Sequence, residues 1–392
     1  MNNLIISIAT NLFCIHLLCL VFNGTQYINI GNRSQIYIII VSLATIKLIF
    51  NKITISSLDI MLYSTLILYT ILSPFFINEN YQNGTLFASL LLFSLLLTWS
   101  NLRFSEHQIK RIMFFYRLSA VIISLGVMLC RYKPYTGVMM SRMTILSFTG
   151  EFYDVNFLSA IIVIPGIISI YELLHSNFNI YKLMENIIIA IGVVLMGSRA
   201  ALALMIGAWI LLILRHNYSN IKKMLLGLIL LFLIAIMFFI LPTDMLEHYY
   251  RGINPLDDSR RMKDWGYGIN LLEINPLWGY GMMSSKHIIT DLFKELYTVH
   301  NTYLVILINY GLIFGLIVYA VMLLPLVRLI KYNAPFVYVT AYIAYLLSII
   351  VIEANYSEVM IIPLCVFSAV AIYYKGVYQK TTIISQFTNH KS

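Results

Sequence analysis

Long runs of hydrophobic residues, separated by short polar connectors, cover almost the whole chain. Runs of about 17 to 25 apolar residues are long enough to cross a hydrocarbon core of roughly 30 Å as helices. The pattern therefore predicts an all-α polytopic membrane protein with about twelve transmembrane helices, which form a single integral membrane domain. The predicted spans are 4–22, 35–51, 58–77, 84–101, 112–130, 157–174, 185–197, 200–215, 222–241, 302–325, 335–352 and 358–375.

The seventh and eighth predicted spans are short and are separated by residues 197–199, Gly-Ser-Arg. Broken segments of this kind form half-helices near the substrate of some transporters. A tight turn between two full spans would give the same pattern, so both alternatives stay open. Arg117 is the main charged residue that the prediction places inside a span.

Two connectors, 131–156 and 242–300, are much longer than the others. Connections longer than about 12 to 15 residues are usually functional or disordered, and the aromatic and apolar content of the second argues against disorder. Asp258 or Ser259 can cap a helix there that ends before Pro276. We predict an amphipathic helix at the membrane interface, because apolar residues recur at spacings of three and four. These residues are Met262, Trp265, Ile269 and Leu272.

The composition agrees with spanning helices, since 60% of the residues are hydrophobic and only 11% are charged. The net charge of +9 comes from residues in the connectors, so lipid headgroups explain it better than nucleic acid does. With the N-terminus inside, the short connectors and the C-terminal tail carry mostly lysines, as is typical of a cytoplasmic side. We therefore predict two cytoplasmic termini and two outer loops, 131–156 and 242–300.

Three segments together resemble the O-antigen polymerase and ligase superfamily of bacterial envelope glycan assembly. Residues 197–202, Gly-Ser-Arg-Ala-Ala-Leu, resemble its small-residue turn with an arginine, followed by a helix. Arg261 and Trp265, followed by residues 275–281, Asn-Pro-Leu-Trp-Gly-Tyr-Gly, resemble a second motif. Residues 300–304, His-Asn-Thr-Tyr-Leu, with Tyr310 and Gly311 downstream, resemble a third.

A fourth segment before the sixth predicted span is also similar to the superfamily. Arg142, Gly150 and residues 154–156, Asp-Val-Asn, resemble a Gly-x-x-x-Asp-Pro-Asn pattern, but Val155 stands where proline is usual. The resemblance covers about residues 140 to 325. It implies about twelve spans with a large outer loop between the ninth and the tenth, which agrees with the hydropathy pattern.

The resemblance implies a metal-independent glycosyltransferase that uses an undecaprenyl-pyrophosphate-linked oligosaccharide as donor. An acceptor hydroxyl attacks the anomeric carbon while the pyrophosphate leaves, and the planar fork of arginine suits phosphate oxygens. We therefore expect Arg199 and Arg261 to be catalytic, and Arg142 and Arg260 to bind substrate. Interfacial arginines that only bind lipid headgroups are the alternative for all four. No metal or other cofactor is expected, since the arginines hold the pyrophosphate.

His300 is the candidate general base, because it is the histidine that falls within a superfamily motif and histidine titrates near neutral pH. A purely structural histidine at a helix start, where Asn301 could act as cap, is the alternative. The other candidates for the base are Asp154, Glu151, His248 and His287. Asp154 is also a candidate substrate-binding residue.

Aromatic and glycine residues of the motifs have two interpretations each. Trp265 and Tyr303 could stack on sugar faces as substrate-binding residues or belong to the aromatic belt at the headgroups. Gly279 and Gly281 are expected to allow a tight turn beside the membrane rather than to cradle a phosphate.

These observations favour a surface polysaccharide polymerase in a bacterial cytoplasmic membrane. Residues with AT-rich codons are frequent, and loci for glycan repeat units are often AT-rich. A ligase that transfers the glycan to the lipid A core is the main alternative, and a flippase of the lipid-linked sugar or a scaffolding protein is a further one. Expected partners are the lipid-linked glycan, membrane lipids, and a chain-length regulator and flippase of the same pathway.

Overall fold

The computed structural model describes residues 2–19, 33–50, 55–76, 83–131, 155–175, 179–216, 259–281, 285–295, 297–352 and 358–389. All regular secondary structure in these ranges is helical, so the predicted all-α class is confirmed. The helices are α1 (Asn2–Cys19), α2 (Arg33–Phe50), α3 (Ser57–Phe76), α4 (Asn83–Trp99), α5 (Glu106–Arg131), α6 (Val155–Leu174), α7 (Ile180–Leu195), α8 (Arg199–Arg215), α9 (Ser259–Ile274), α10 (Ser285–Phe293), α11 (Thr302–Lys331), α12 (Phe336–Ser348), a short 3₁₀ helix (Ile349–Val351) and α13 (Glu358–Asn389).

Eleven of the twelve predicted spans coincide with described helices, and the ninth, 222–241, lies outside the described residues. Among the described residues, five helices are long and apolar enough to cross a membrane by length and composition. They are Ser57–Phe75, Glu106–Met128, Asn156–Leu174, Thr302–Lys331 and Val359–Thr381. Four shorter apolar helices accompany them, so the chain is a multi-pass membrane protein, while the number twelve stays a prediction.

Helices from both halves of the chain share one large apolar core. Trp99, the last residue of α4, is fully buried in it, where its indole nitrogen donates to the Cys365 carbonyl at 2.9 Å and its ring lies 4.9 Å from Phe13. Cys14 and Cys365 are buried free thiols in this core.

The directions of α8, α11 and α12 define the two ends of the bundle. The end of α8 meets the start of α12, where the Arg215 guanidinium lies 4.1 Å from the Phe336 ring centre. The start of α11 meets the chain after α12, where the Thr302 hydroxyl donates to the Ile352 carbonyl at 2.6 Å. The first contact shows that α8 and α12 run antiparallel, so α8 starts at the end of the bundle where α12 finishes. The second contact places the start of α11 at that same end, which we call the motif end.

Charged residues near the opposite end of the bundle are paired. Arg328 of α11 bridges to Asp59 of α3 at 2.5 Å, although Asp59 is only 1% exposed. Arg117 of α5 lies 3.3 Å from Glu185 of α7 and 3.6 Å from Glu172 of α6. Buried charges are stable only with such partners, so Arg117 needs no transported ligand to account for its position inside a span.

Candidate functional site

The three segments that carry the sequence motifs lie at the motif end. α8 begins there with Arg199, and α11 begins there after His300 and Asn301. Trp265 of α9 joins this group, because its indole nitrogen donates a long hydrogen bond of 3.4 Å to the His300 carbonyl. The fold therefore brings residues that are far apart in sequence to one end of an apolar bundle.

α9 confirms the predicted helix, but the face that packs on the protein is a different one. Asp264 and Leu271 are buried, and Gly268 lies so close to Leu304 of α11 that a Cβ would approach its side chain to under 3.0 Å. The predicted apolar residues Met262 and Ile269 are 66% and 51% exposed. Met262 and Ile269 therefore remain free to contact lipid, as residues of interfacial helices do, whereas Trp265 of the same stripe bonds to the His300 carbonyl.

A second, smaller apolar core supports this end of the molecule and joins α9, α10 and α11. Ser285 at the start of α10 accepts a hydrogen bond of 3.1 Å from the Val299 backbone N–H, which holds the segment before His300 in place. A packed substructure, and not an unsupported loop, thus positions His300. The core consists of Leu271, Ile288, Ile289, Val299, Val305 and Ile308.

Two tyrosines beside this core are unsuitable as general bases near neutral pH. Burial raises the pKa of Tyr280 above its ordinary value. Burial also raises the pKa of Tyr267, and the nearby Glu295 and Tyr297 act in the same direction. Both hydroxyls stay protonated, so they do not replace His300 in the predicted role.

The start of α11 is fixed by a side-chain cap. The Asn301 side chain accepts from the Leu304 backbone N–H at 3.1 Å, which confirms the predicted cap. His300 precedes the cap and is half-buried. A histidine at this place is held by its backbone, so its imidazole is not needed to terminate the helix.

The segment Asn275–Gly281 packs against a break in α11, and we call this contact the interlock. The helix is interrupted at Gly311, which has a φ of 64° and a ψ of −179°. Backbone hydrogen bonds across the contact replace those that the helix loses there, as a break inside an apolar bundle requires. They run from Tyr280 N to Ile308 O at 2.8 Å, from Gly281 N to Asn309 O at 2.8 Å and from Leu312 N to Pro276 O at 2.7 Å.

Glycines are required on both sides of the interlock. Gly279 and Gly281 each have a φ of 70°, which fits the predicted tight turn. A Cβ on Gly279 would lie under 3.0 Å from the Gly311 backbone nitrogen, and a Cβ on Gly311 would lie under 3.0 Å from the Leu277 carbonyl. These motif glycines therefore permit close backbone packing between two segments.

Tyr69 of α3 completes the interlock and was missed in the sequence analysis. Its hydroxyl lies 2.6 Å from the Trp278 carbonyl and 3.0 Å from the Asn309 carbonyl, so its proton bridges both partners. A tyrosine in an apolar span that lies outside the motif-bearing part of the chain gives no local signal of such a contact.

Replacing Tyr69 by phenylalanine is expected to destabilise the protein by about 1 to 2 kcal/mol, because one buried and one partly buried carbonyl lose their shared donor. Thermal unfolding of the purified protein would measure the loss. Tyr116→Phe is the matched control, since the buried Tyr116 hydroxyl has no hydrogen-bond partner among the described residues. Equal unfolding temperatures for the two variants would contradict the bridging role.

Arg199 occupies the first position of α8 and is half-buried. Its guanidinium makes no hydrogen bond or ion pair with any other residue that the structure describes. The side chain of Ser198, the preceding residue, makes no capping hydrogen bond. A positive charge at the positive end of a helix is unfavourable by itself, so this arrangement is suited to an anionic ligand.

The remaining predicted site residues are placed less completely. Arg260 and Arg261 lie in the first turn of α9, but their side chains are outside the described residues. The Tyr303 hydroxyl donates to the Leu346 carbonyl at 2.7 Å, so it is engaged in helix packing. Predicted residues in the undescribed segments are Arg142, Glu151, Asp154 and His248. Among described residues, no group of three or more histidine, cysteine or acidic side chains could hold a metal ion.

Comparison with known proteins locates the relationship in this part of the chain. Residues 186–320 match the family model described as O-Antigen ligase. The matched range contains Arg199, α9, the segment Asn275–Gly281, His300 and Gly311. It therefore includes both sides of the interlock, whereas Tyr69 lies outside it. No curated protein matches the chain.

Proposed function

We propose that this chain, which belongs to the O-antigen polymerase and ligase superfamily, transfers a glycan from a polyprenyl pyrophosphate to an acceptor sugar. The reaction takes place at the outer face of a bacterial cytoplasmic membrane, which the motif end faces in this proposal. The observation that carries the proposal is that α8 begins with Arg199 at the same end of an apolar bundle as His300, to whose carbonyl Trp265 of α9 donates a hydrogen bond.

Arg199 and the two arginines of α9 bind the pyrophosphate of the donor. Negative charge builds up on the pyrophosphate as its bond to the anomeric carbon breaks, and fixed cations stabilise that charge without reorganisation. The lack of a described counter-ion for Arg199 supports this role. Arg142 and Asp154 contribute further contacts to the substrate in this proposal.

His300 accepts the proton of the acceptor hydroxyl while the hydroxyl oxygen attacks the anomeric carbon. The new carbon–oxygen bond forms as the bond to the pyrophosphate oxygen breaks, and the electron pair of that bond leaves with the pyrophosphate. Asn301 and Trp265 support this role, because they fix the backbone at His300 and directly after it. Trp265 borders this region and provides a surface for sugar contact.

The favoured acceptor is the next lipid-linked repeat unit, which makes the chain a polymerase. A ligase, whose acceptor is the lipid A core, is the second candidate, and the family match fits both. The bond chemistry is the same for both acceptors. Only the product therefore distinguishes them.

Deletion of the gene in its host is expected to remove the long ladder of surface polysaccharide on a gel and leave one repeat unit on the core. Wild type should restore the ladder, whereas Arg261→Ala and His300→Ala at normal expression should not. Loss of all attached glycan with accumulation of long lipid-linked chains would identify a ligase instead. Accumulation of single lipid-linked units on the inner leaflet would indicate a flippase, and an unchanged ladder would contradict both transferase functions.

A further inference from the structure

We propose that a groove between α3 and the segment Asn275–Gly281 binds the polyprenyl chain of the lipid-linked glycan. The groove has a volume of about 420 Å³. One side consists of α3 residues between 65 and 73, and the other includes Trp278, Gly279 and Phe314. This inference rests on the proposed function and assigns the lipid part of its substrate to a place in the fold.

The groove is elongated along α3, as a bound lipid chain would be. The α3 residues that line it are Thr65, Leu68, Tyr69, Leu72 and Ser73, which share one face of the helix at spacings of three and four. The groove therefore runs along the helix axis for about 12 Å. α3 is one of the candidate membrane spans, and Leu68 is 56% exposed. The groove thus opens sideways from a membrane-spanning helix.

The chemistry of the groove suits hydrocarbon and not a sugar, because its hydroxyl and amide side chains donate hydrogen bonds to the protein. A sugar or phosphate placed there would lose hydrogen bonds to water and find few replacements. An apolar chain has no such cost. The four bonds are Tyr69 Oη to Trp278 O at 2.6 Å, Asn275 Nδ2 to Gly279 O at 2.6 Å, Thr65 Oγ1 to Met61 O at 2.7 Å and Ser73 Oγ to Thr70 O at 3.0 Å.

Stacked aromatic rings give the groove a fixed width. The Tyr69 and Phe314 rings are stacked with centroids 4.2 Å apart, and the Trp278 ring lies 6.0 Å from Phe314. Tyr69 is also tied to the interlock by its hydroxyl. A chain with a methyl branch on every isoprene unit has a larger cross-section than a linear acyl chain, so it fills a preformed groove of this kind better.

Continuity with the candidate site favours the substrate over a bilayer phospholipid as the occupant. The groove residues Asn275 and Trp278 directly follow α9, whose first turn carries Arg260 and Arg261. The same segment interlocks with α11, which begins just after His300. A lipid whose pyrophosphate lies at the arginines therefore has an apolar path into the membrane along a segment that the site already uses.

The test uses a polyprenyl pyrophosphate that carries a photoreactive diazirine in its chain, with the full-length protein in phosphatidylglycerol nanodiscs. Labelling is expected on peptides that contain residues 65–73 and 275–279. Leu68→Trp and Leu72→Trp fill the groove and should each lower this labelling by about tenfold, because several methylene contacts are lost. Ile71→Trp is the matched control, since Ile71 is 47% exposed on the same helix but does not line the groove.

Competition distinguishes the proposed ligand from ordinary bilayer lipid. Unlabelled polyprenyl pyrophosphate should displace the probe, whereas an equal excess of added phosphatidylglycerol should not. Equal displacement by both lipids would overturn the proposal. So would wild-type labelling of both groove-filling variants, or an equal reduction in the Ile71→Trp control.

Failure of this inference and failure of the proposed function have different signatures, because labelling requires no glycan transfer. Specific labelling in a protein that transfers no glycan would support polyprenyl binding in the groove and contradict the transferase function. Transfer by wild type and by Leu68→Trp, with equal KM for donors of long and short polyprenyl chains, would retain the transferase and reject the groove.

Discussion

Replacement of His300 by alanine is expected to lower glycan transfer by about 100-fold to 10,000-fold, the range typical for loss of a general acid or base. The fold should survive the change, because the carbonyl and not the imidazole of His300 bonds to Trp265, and Asn301 caps the helix. Turnover of a defined lipid-linked donor by the purified protein in nanodiscs would measure the effect. Thermal unfolding of the same samples would verify that the structure is retained.

His287→Ala is the informative comparison for this prediction. His287 is an exposed residue of α10 in the same predicted outer loop, and it was the alternative base closest to the site in sequence. We expect His287→Ala to retain turnover within about twofold of wild type, as surface substitutions usually do. A large loss in His287→Ala together with near-normal turnover in His300→Ala would transfer the role of base to His287.

Hydropathy was sufficient to predict the spans that the structure describes, because crossing a membrane is a property of a continuous run of residues. α6 illustrates this, since its 20 residues have a continuous apolar sequence and the predicted range 157–174 ends at the same residue. Charged or polar first turns were harder to predict. α5 begins at Glu106 and α7 at Ile180, five or six residues before the apolar runs that predicted them.

The packing of the predicted outer loop could not be read from periodicity. The apolar stripe through Met262 and Ile269 predicted α9 correctly, but the helix packs through Gly268 because a glycine allows close approach to Leu304. α10 was missed because it has only nine residues. Its apolar residues Ile288 and Ile289 are buried in the second apolar core, whose other members come from α9, α11 and the segment before α11.

The sequence indicates each motif by itself, but the contacts between the motifs are long-range and leave no local pattern. In the sequence, Gly279 belongs to a predicted turn and Gly311 follows the start of a predicted helix. In the structure, their backbones are in contact. Tyr69 is separated from Trp278 by 209 residues and from Asn309 by 240. No local pattern encodes such pairs, although each participant lies in an otherwise predictable element.

Replacement of Gly311 by alanine is expected to destabilise the protein by about 3 kcal/mol or more, with loss of glycan transfer. Its φ of 64° and ψ of −179° lie in a region that is essentially restricted to glycine, and the new Cβ would approach the Leu277 carbonyl to under 3.0 Å. Thermal and denaturant unfolding would measure the loss. Gly207→Ala is the control, because a Cβ there meets no atom within 4 Å and alanine favours helix by about 1 kcal/mol.

A double-variant cycle tests whether the interlock is one contact or two independent turns. A Cβ on Gly279 would displace the Gly311 backbone, so either single alanine substitution already separates the two segments. The cost of the Gly279→Ala, Gly311→Ala double variant should therefore fall clearly below the sum of the single costs, by more than about 0.5 kcal/mol. Additive costs would mean that each glycine serves only its own turn. If the interlock is a single unit, adding Tyr69→Phe to the double variant should cause no further loss of stability, because the Tyr69 hydroxyl bridges the same two segments.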